Sequence, residues 1–184
     1  EELAKNRADM WAGVLEYPLT AGYYDQRTAD LSKVSVPLLS AANWGGQGLH
    51  PRGNFEGFVR AASKDKWLEA HGIEHWTHFY TDYGRKLQLR FFDHFLKGEG
   101  DWKNQPRVQL QVRHVERFVE RHENEWPLAR TQWTRLYLHK DFQLKSGPDP
   151  DSSSALRFEA LGEGVTFLSE PLGRAEVNSG RQRL

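Results

Sequence analysis

Val34-Ser35-Val36-Pro37-Leu38-Leu39-Ser40-Ala41-Ala42 runs directly into Asn43-Trp44-Gly45-Gly46. The run is short, apolar, β-branched at its start and bounded by polar residues. That is the pattern of a strand buried on both faces in a parallel sheet, feeding a glycine-rich loop at its carboxyl end. Parallel strands need long crossovers, so helices are expected on either side of this stretch.

Downstream, Asn54 is read as the N-cap of a helix whose inner face is Phe55, Phe58, Val59 and Ala62. Trp67 to Ile73 is a second strand, interrupted by Glu69 and His71, and Glu74 to Tyr80 is a loop. A longer helix is expected over Tyr83–Lys97, with Leu87, Phe91, Phe92, Phe95 and Leu96 on one face. Arg85, Lys86, Arg90, Asp93 and Lys97 avoid that face, and Gly98 sits where a C-terminal cap belongs. Upstream, Leu3, Arg7, Met10, Trp11, Val14 and Leu15 form one helical stripe that Pro18 closes, and residues 17–32 connect it to the strand through short turns.

Beyond Gly98 the texture changes. Residues 100–106 read as a linker, and the alternating runs Val108-Leu110-Val112 and Thr134-Leu136-Leu138 as antiparallel strands. Residues 145–154 form a low-complexity loop, and 156–158 and 165–168 further short strands. An α/β half of roughly 100 residues, at ordinary domain sizes, is thus followed by the start of an all-β unit.

Composition narrows the function classes. The 184 residues carry 25 basic and 25 acidic side chains, so the net charge is zero and nothing electrostatic favours a nucleic acid or an anionic membrane as partner. The absence of cysteine excludes a disulfide framework, thiol catalysis and cysteine-ligated zinc, and leaves the compartment open. No apolar run approaches the ~18–20 residues of a membrane span, and the charged opening Glu1-Glu2-Leu3-Ala4-Lys5 is no signal peptide, so a soluble chain or a piece of one is expected. Apolar residues make up 38% and the mean hydropathy is −0.75. Globular domains usually reach about 45–50%, glycine included, so either the core is small or part of it is missing.

Three constellations carry possible chemistry. His71-Gly72-Ile73-Glu74-His75 fits the H-x-x-E-H pattern of inverted zinc peptidases, which needs both histidines on one helix face beside the glutamate. Gly72 and β-branched Ile73 disfavour that helix, leaving chance spacing among eight histidines as the plainer reading. His75 and His78 lie just past a strand, where a residue titrating near neutrality is placed for acid/base work; spacing alone does not separate that role from ordinary loop polarity. Asn43 to Gly53 is glycine-rich but has neither a phosphate-loop nor a dinucleotide fingerprint, so a tight turn is expected there. No serine lies in G-x-S-x-G, and no acid pair stands out for glycoside hydrolysis.

Val36-Pro37-Leu38-Leu39 into Trp44-Gly45-Gly46, Arg52-Gly53-Asn54-Phe55-Glu56-Gly57-Phe58, Glu74-His75-Trp76-Thr77-His78 and Arg90-Phe91-Phe92-Asp93-His94-Phe95-Leu96-Lys97-Gly98 together resemble the X-Pro dipeptidyl-peptidase and cocaine-esterase-like acyl hydrolases. Glu125-Trp126-Pro127-Leu128, Leu136-Tyr137-Leu138 and Glu176-Val177-Asn178-Ser179-Gly180 resemble that family's jelly-roll continuation. The resemblance spans roughly residues 28–178. It implies residues 1–100 as the C-terminal part of an α/β-hydrolase domain and 101–184 as the beginning of a jelly roll. It further implies a Ser-His-Asp hydrolase acting on small ester or peptide substrates through an acyl-enzyme, with no metal or organic cofactor.

His78 matches the catalytic histidine of the family's G-P-W-x-H string, although Glu74 and His75 replace the Gly-Pro pair. The family's aspartate position holds Gly46. Glu56 and Asp82 are possible substitutes that spacing does not separate, so no acid is assigned. The serine is expected upstream of Glu1, which makes this chain a fragment, catalytically inert by itself. A non-catalytic structural or binding remnant is the alternative that Gly46 favours, and an H-x-x-E-H zinc peptidase is the other.

Overall fold

The computed structural model describes residues 2–5, 7, 9–19, 22–46, 49–74, 76–151 and 155–171. The chain forms two compact units, Glu1–Gln111 with Glu120–Asn124, and Val112–Val119 with Glu125–Leu184.

The first unit contains the short helices α1 (Glu2–Lys5), α2 (Met10–Glu16) and α3 (Gly22–Asp25), then β1 (Leu38–Asn43), α4 (Pro51–Arg60) and β2 (Lys66–His71). Next come α5 (Thr77–Tyr80), α6 (Asp82–Phe92) with a π-helical turn over Asp93–Lys97, and β3 (Val108–Arg113); β4 (Phe118–Glu123) follows. The sheet order is β1-β2-β3-β4. β1 and β2 are parallel, pairing Leu39 with Trp67, Ala41 with Glu69 and Asn43 with His71. β2 and β3 are also parallel, pairing Leu68 with Val108, Glu69 with Gln109 and Ala70 with Leu110.

Side chains alternate across a strand, so this register fixes two faces. Leu39, Trp67, Glu69, His71 and Gln109 share one; Ser40, Ala42, Leu68, Ala70, Val108 and Leu110 share the other. On the first face Trp67 packs with Leu87, Phe91 and Trp102, and Leu39, Tyr83 and Phe95 lie against that cluster. On the second, Ser40 Oγ donates to Asn54 O at 2.9 Å and Phe58 of α4 is buried. Lys66 closes the end of α4, its Nζ donating to Val59 O at 3.1 Å and Ala61 O at 2.7 Å, carbonyls that have no partner within the helix.

The parallel strand and its turn are present, as is Gly98 in the left-handed region at φ 72°, but β1 is an edge strand and not buried on both faces: Leu38 and Leu39 are half-buried and Ala41 is exposed. Several local expectations are corrected. The amino-terminal stripe is two helices, because Asp9 accepts from Ala12 N at 3.0 Å and so starts α2 afresh. Asn54 is not an N-cap: the helix begins a turn earlier with Pro51 in its first turn, leaving Asn54 to donate from Nδ2 to Ala41 O at 3.0 Å. Ala62 lies past that helix. Part of the expected loop 74–80 is helical, as α5.

The expected linker contains Trp102, which is 1% exposed, and Val108–Val112 pairs in parallel with β2 where antiparallel pairing was expected. The intervening helices provide the crossover that parallel pairing requires. Phe91 is covered, whereas Phe92 is half exposed and Leu96 more so.

In the second unit Tyr137–Leu138 pairs antiparallel with Leu144–Lys145 as β5 and β6. Leu168 forms a single bridge to Gln143, and the expected strand over 156–158 is not formed. Asp149 ties the connecting loop to the β5–β6 turn, accepting from Lys140 N at 2.8 Å. His75 and the 176–180 resemblance lie outside the described residues. No described helix is long and apolar enough to cross a membrane.

Candidate functional site

The site grows from the carboxyl ends of β1 and β2. Glu69 and His71 are two residues apart on β2 and therefore share a face. Glu69 is 2% exposed, and a carboxylate so buried needs partners. His71 Nδ1 lies 2.8 Å from Glu69 Oε2, and the Tyr83 hydroxyl donates to Oε1 at 3.3 Å. Behind them, Gln109 Nε2 donates to the Tyr83 hydroxyl oxygen at 2.8 Å and to Glu120 Oε2 at 3.1 Å. Burial first, then the Glu69 charge, push the Tyr83 hydroxyl far above its ordinary value, so it stays protonated and donating.

His78 enters from α5. Its ring stacks on His71 with centroids 4.5 Å apart and planes 18° apart, and Tyr83 lies 4.6 Å away on a tilted ring. His78 is 8% exposed, and the Nε2 atoms of both histidines are buried without a hydrogen-bond partner among the described residues. Burial holds the His78 pKa below 6.5, helped by the neighbouring His71 and opposed by Glu69. At neutral pH the ring is therefore uncharged, with a lone pair to accept a proton. These residues face a cavity of about 200 Å³ whose other walls include Leu39, Leu87 and Phe91.

Backbone contacts fix the loop that carries His78. Asn43 Nδ2 donates to Gly72 O at 3.0 Å and Ile73 O at 3.1 Å, lashing the end of β1 to the segment after β2. Ile73 sits at φ 61°, an unfavourable conformation for a β-branched residue, stabilised here by that lash. Thr81 caps α6 while its hydroxyl donates to His78 O at 2.8 Å. Gly84 has no room for a side chain, since a Cβ there would collide with His78 O and lie 2.8 Å from Phe79 O.

Of the substitute acids, Asp82 is exposed beside Arg85 at 3.6 Å, and Glu56 belongs to α4 across the sheet. Gly46 forms the turn after β1, its N–H donating to Asn43 O at 3.2 Å. The carboxylate brought to His78 is Glu69, whose ligating atoms lie within 4.8 Å of those of His71 and His78. The sequence contained its signal: two polar residues at a two-residue spacing in an otherwise apolar strand.

The helical H-x-x-E-H reading fails, because His71 ends a strand and Ile73 is left-handed. Glu74 instead accepts from Thr77 Oγ1 at 3.0 Å. Glu69, His71 and His78 are the one group of described residues close enough to consider for a metal. Two imidazoles binding one ion must aim in-plane lone pairs at a common point, whereas these rings stack face to face and Glu69 is already bonded to His71. As built, the cluster is an acid–imidazole pair with a second imidazole on its face.

Two crystal structures of a CocE/NonD family hydrolase from Staphylococcus aureus match this chain with TM-score 0.70 and 38% identity. The match covers 76% of this chain and 26% of that one. The chain is a homologue of the CocE/NonD family hydrolases. Its mixed α/β sheet agrees with a CocE/NonD hydrolase-like fold, and the chain spans about a quarter of that hydrolase's length. No family model matches, and no curated protein does.

Proposed function

We propose that this CocE/NonD homologue forms the histidine-bearing part of a serine acyl hydrolase, in which His78 is the general base. The parallel strands end in the last part of an α/β-hydrolase domain, and the β5–β6 unit is the opening of a jelly roll. The observation that carries the reading is the buried Nε2 of an uncharged His78, without a partner among the described residues, just past the carboxyl end of β2. Ligands of open α/β sheets bind at that end of the strands. In acyl transfer such a nitrogen takes the proton of a serine hydroxyl as it attacks an ester or an X-Pro amide, then returns it to the leaving group. The substrate class is a small ester or peptide, and no metal or organic cofactor takes part.

The nucleophile is supplied from outside these residues, since no serine here has a nucleophile-elbow context. The pure chain is therefore expected not to turn over a 4-nitrophenyl ester or an X-Pro anilide. Turnover by the chain that His78→Ala abolishes would overturn this division of labour. Gly46, where an acid is expected, favours a second reading: a structural or binding remnant without catalysis.

A further inference from the structure

A histidine base works well only when something fixes its ring and compensates the charge it acquires. The turn after β1 provides no carboxylate, because Gly46 occupies it. The strand next to it provides one. Glu69 lies buried on the face from which His78 is approached, bonded to His71 Nδ1 at 2.8 Å, and the His71 ring covers the face of His78. We propose that Glu69 and His71 are the positioning pair of this site, standing in for the missing turn carboxylate by holding His78 through a stacked imidazole. The proposal rests on the reading of His78 as the base.

The arrangement decides where a proton resides. Two imidazolium rings stacked at 4.5 Å would repel one another in a buried setting, so the pair accommodates one positive charge. The Glu69 carboxylate lies on the His71 side of the pair, bonded to Nδ1 at 2.8 Å, and so fixes that ring. His78 is left neutral with a free lone pair. The other groups around the pair are Tyr83 of α6, a protonated donor to Glu69, the neutral amide of Gln109 on β3, and Glu120 of β4, whose carboxylate accepts from that amide and is paired with His122 Nε2 at 2.6 Å. Gln109 and Tyr83 thereby hold Glu69 where a strand carboxylate would otherwise be free to turn. Packing alone would require only a flat ring at position 71, so ring shape and charge can be separated.

The test is a histidine titration of the ¹⁵N-labelled 184-residue chain by long-range ¹H–¹⁵N NMR, comparing wild type, His71→Phe and Glu69→Gln. In the wild type His78 titrates below 6.5, and His71 shows a hydrogen-bonded Nδ1 proton. His71→Phe keeps a flat ring on His78 and removes the His71 influence that opposes its protonation while Glu69 remains, so the His78 midpoint rises. The near-isosteric Glu69→Gln replaces the carboxylate acceptor and abolishes the downfield His71 Nδ1 proton. Should His71→Phe fail to fold, Glu69→Gln decides alone. An unchanged His78 midpoint in folded His71→Phe, or a downfield His71 Nδ1 proton retained in Glu69→Gln, overturns the proposal. Neither readout involves turnover, so failure here leaves the acyl-hydrolase reading standing, and failure of that reading leaves these titrations intact.

Discussion

Truncating Trp102 to alanine is expected to remove a large share of the stability of the first unit. The indole is 1% exposed and meets Trp67, Phe91 and Phe95 at centroid distances of 5.5, 5.3 and 6.5 Å, with the Arg90 guanidinium 5.5 Å from its ring. A buried tryptophan removes about 200 Å² from water, worth about 5 kcal/mol at about 25 cal/mol per Å². Against that, its Nε1–H is buried without a partner among the described residues, which costs the folded state about 1–3 kcal/mol that truncation relieves. The unfilled cavity adds back, so the net expectation is a loss of about 3–4 kcal/mol. Domains of this size hold only about 5–15 kcal/mol.

Urea unfolding followed by circular dichroism at 222 nm reads the effect. With a slope of about 2 kcal/mol per M, the midpoint falls by about 1.5–2 M in Trp102→Ala. Trp102→Phe keeps a ring against Phe91 and Trp67 and deletes the unpaired donor, so its loss is about 1 kcal/mol. A midpoint shift below about 0.5 M for the alanine variant would refute the placement of Trp102 in the core. So would equal damage from phenylalanine and alanine.

Other outcomes follow from the same structure. His78 has its pKa depressed on folding, so above pH 6.5 both states are neutral and it contributes nothing to pH dependence. Below 6.5 the unfolded chain binds a proton that the folded chain resists, and stability falls until the pH drops beneath the folded value. Thermal melts at pH 7.5 and 5.5 therefore differ more for the wild type than for His78→Phe. Gly84→Ala forces α6 away from the His78 carbonyl and is expected to lower stability by about 1–3 kcal/mol while shifting the His78 NMR signals; a wild-type melting temperature would contradict the contact. Asn43→Ala strands two carbonyls and releases Ile73, costing about 1–3 kcal/mol in urea unfolding, with amide exchange increased at residues 72–74.

Features encoded locally were legible in the sequence. The run ending at Asn43 and the glycine at 98 were readable because a short apolar strand and a left-handed cap each leave a mark on neighbouring residues. The start of α4 was misplaced because Asn54 has cap chemistry, yet Pro51 three residues earlier also suits a first turn. Trp102 sat among linker-type residues, and only the ring cluster of Trp67 and Phe91, far away in sequence, makes it core.

The candidate site divides the same way. His78 stood out as a candidate through the W-T-H string, and its place after a strand alone did not separate it from ordinary loop polarity. Glu69 and His71 looked like defects in a strand, since their meaning depends on Tyr83, Gln109 and His78 arriving from three other elements. The resemblance implies an acid at the turn position of Gly46, one strand away from the buried carboxylate of Glu69.

The most direct test of the central claim is a transplant. The matching quarter of the S. aureus CocE/NonD hydrolase is replaced by the matching part of this chain, and kcat/KM for 4-nitrophenyl acetate is measured with and without His78→Ala. The expected result is an active chimera that loses roughly 10⁴-fold or more with His78→Ala, the scale of removing a triad member. An active chimera whose kcat/KM is unchanged by His78→Ala would contradict it.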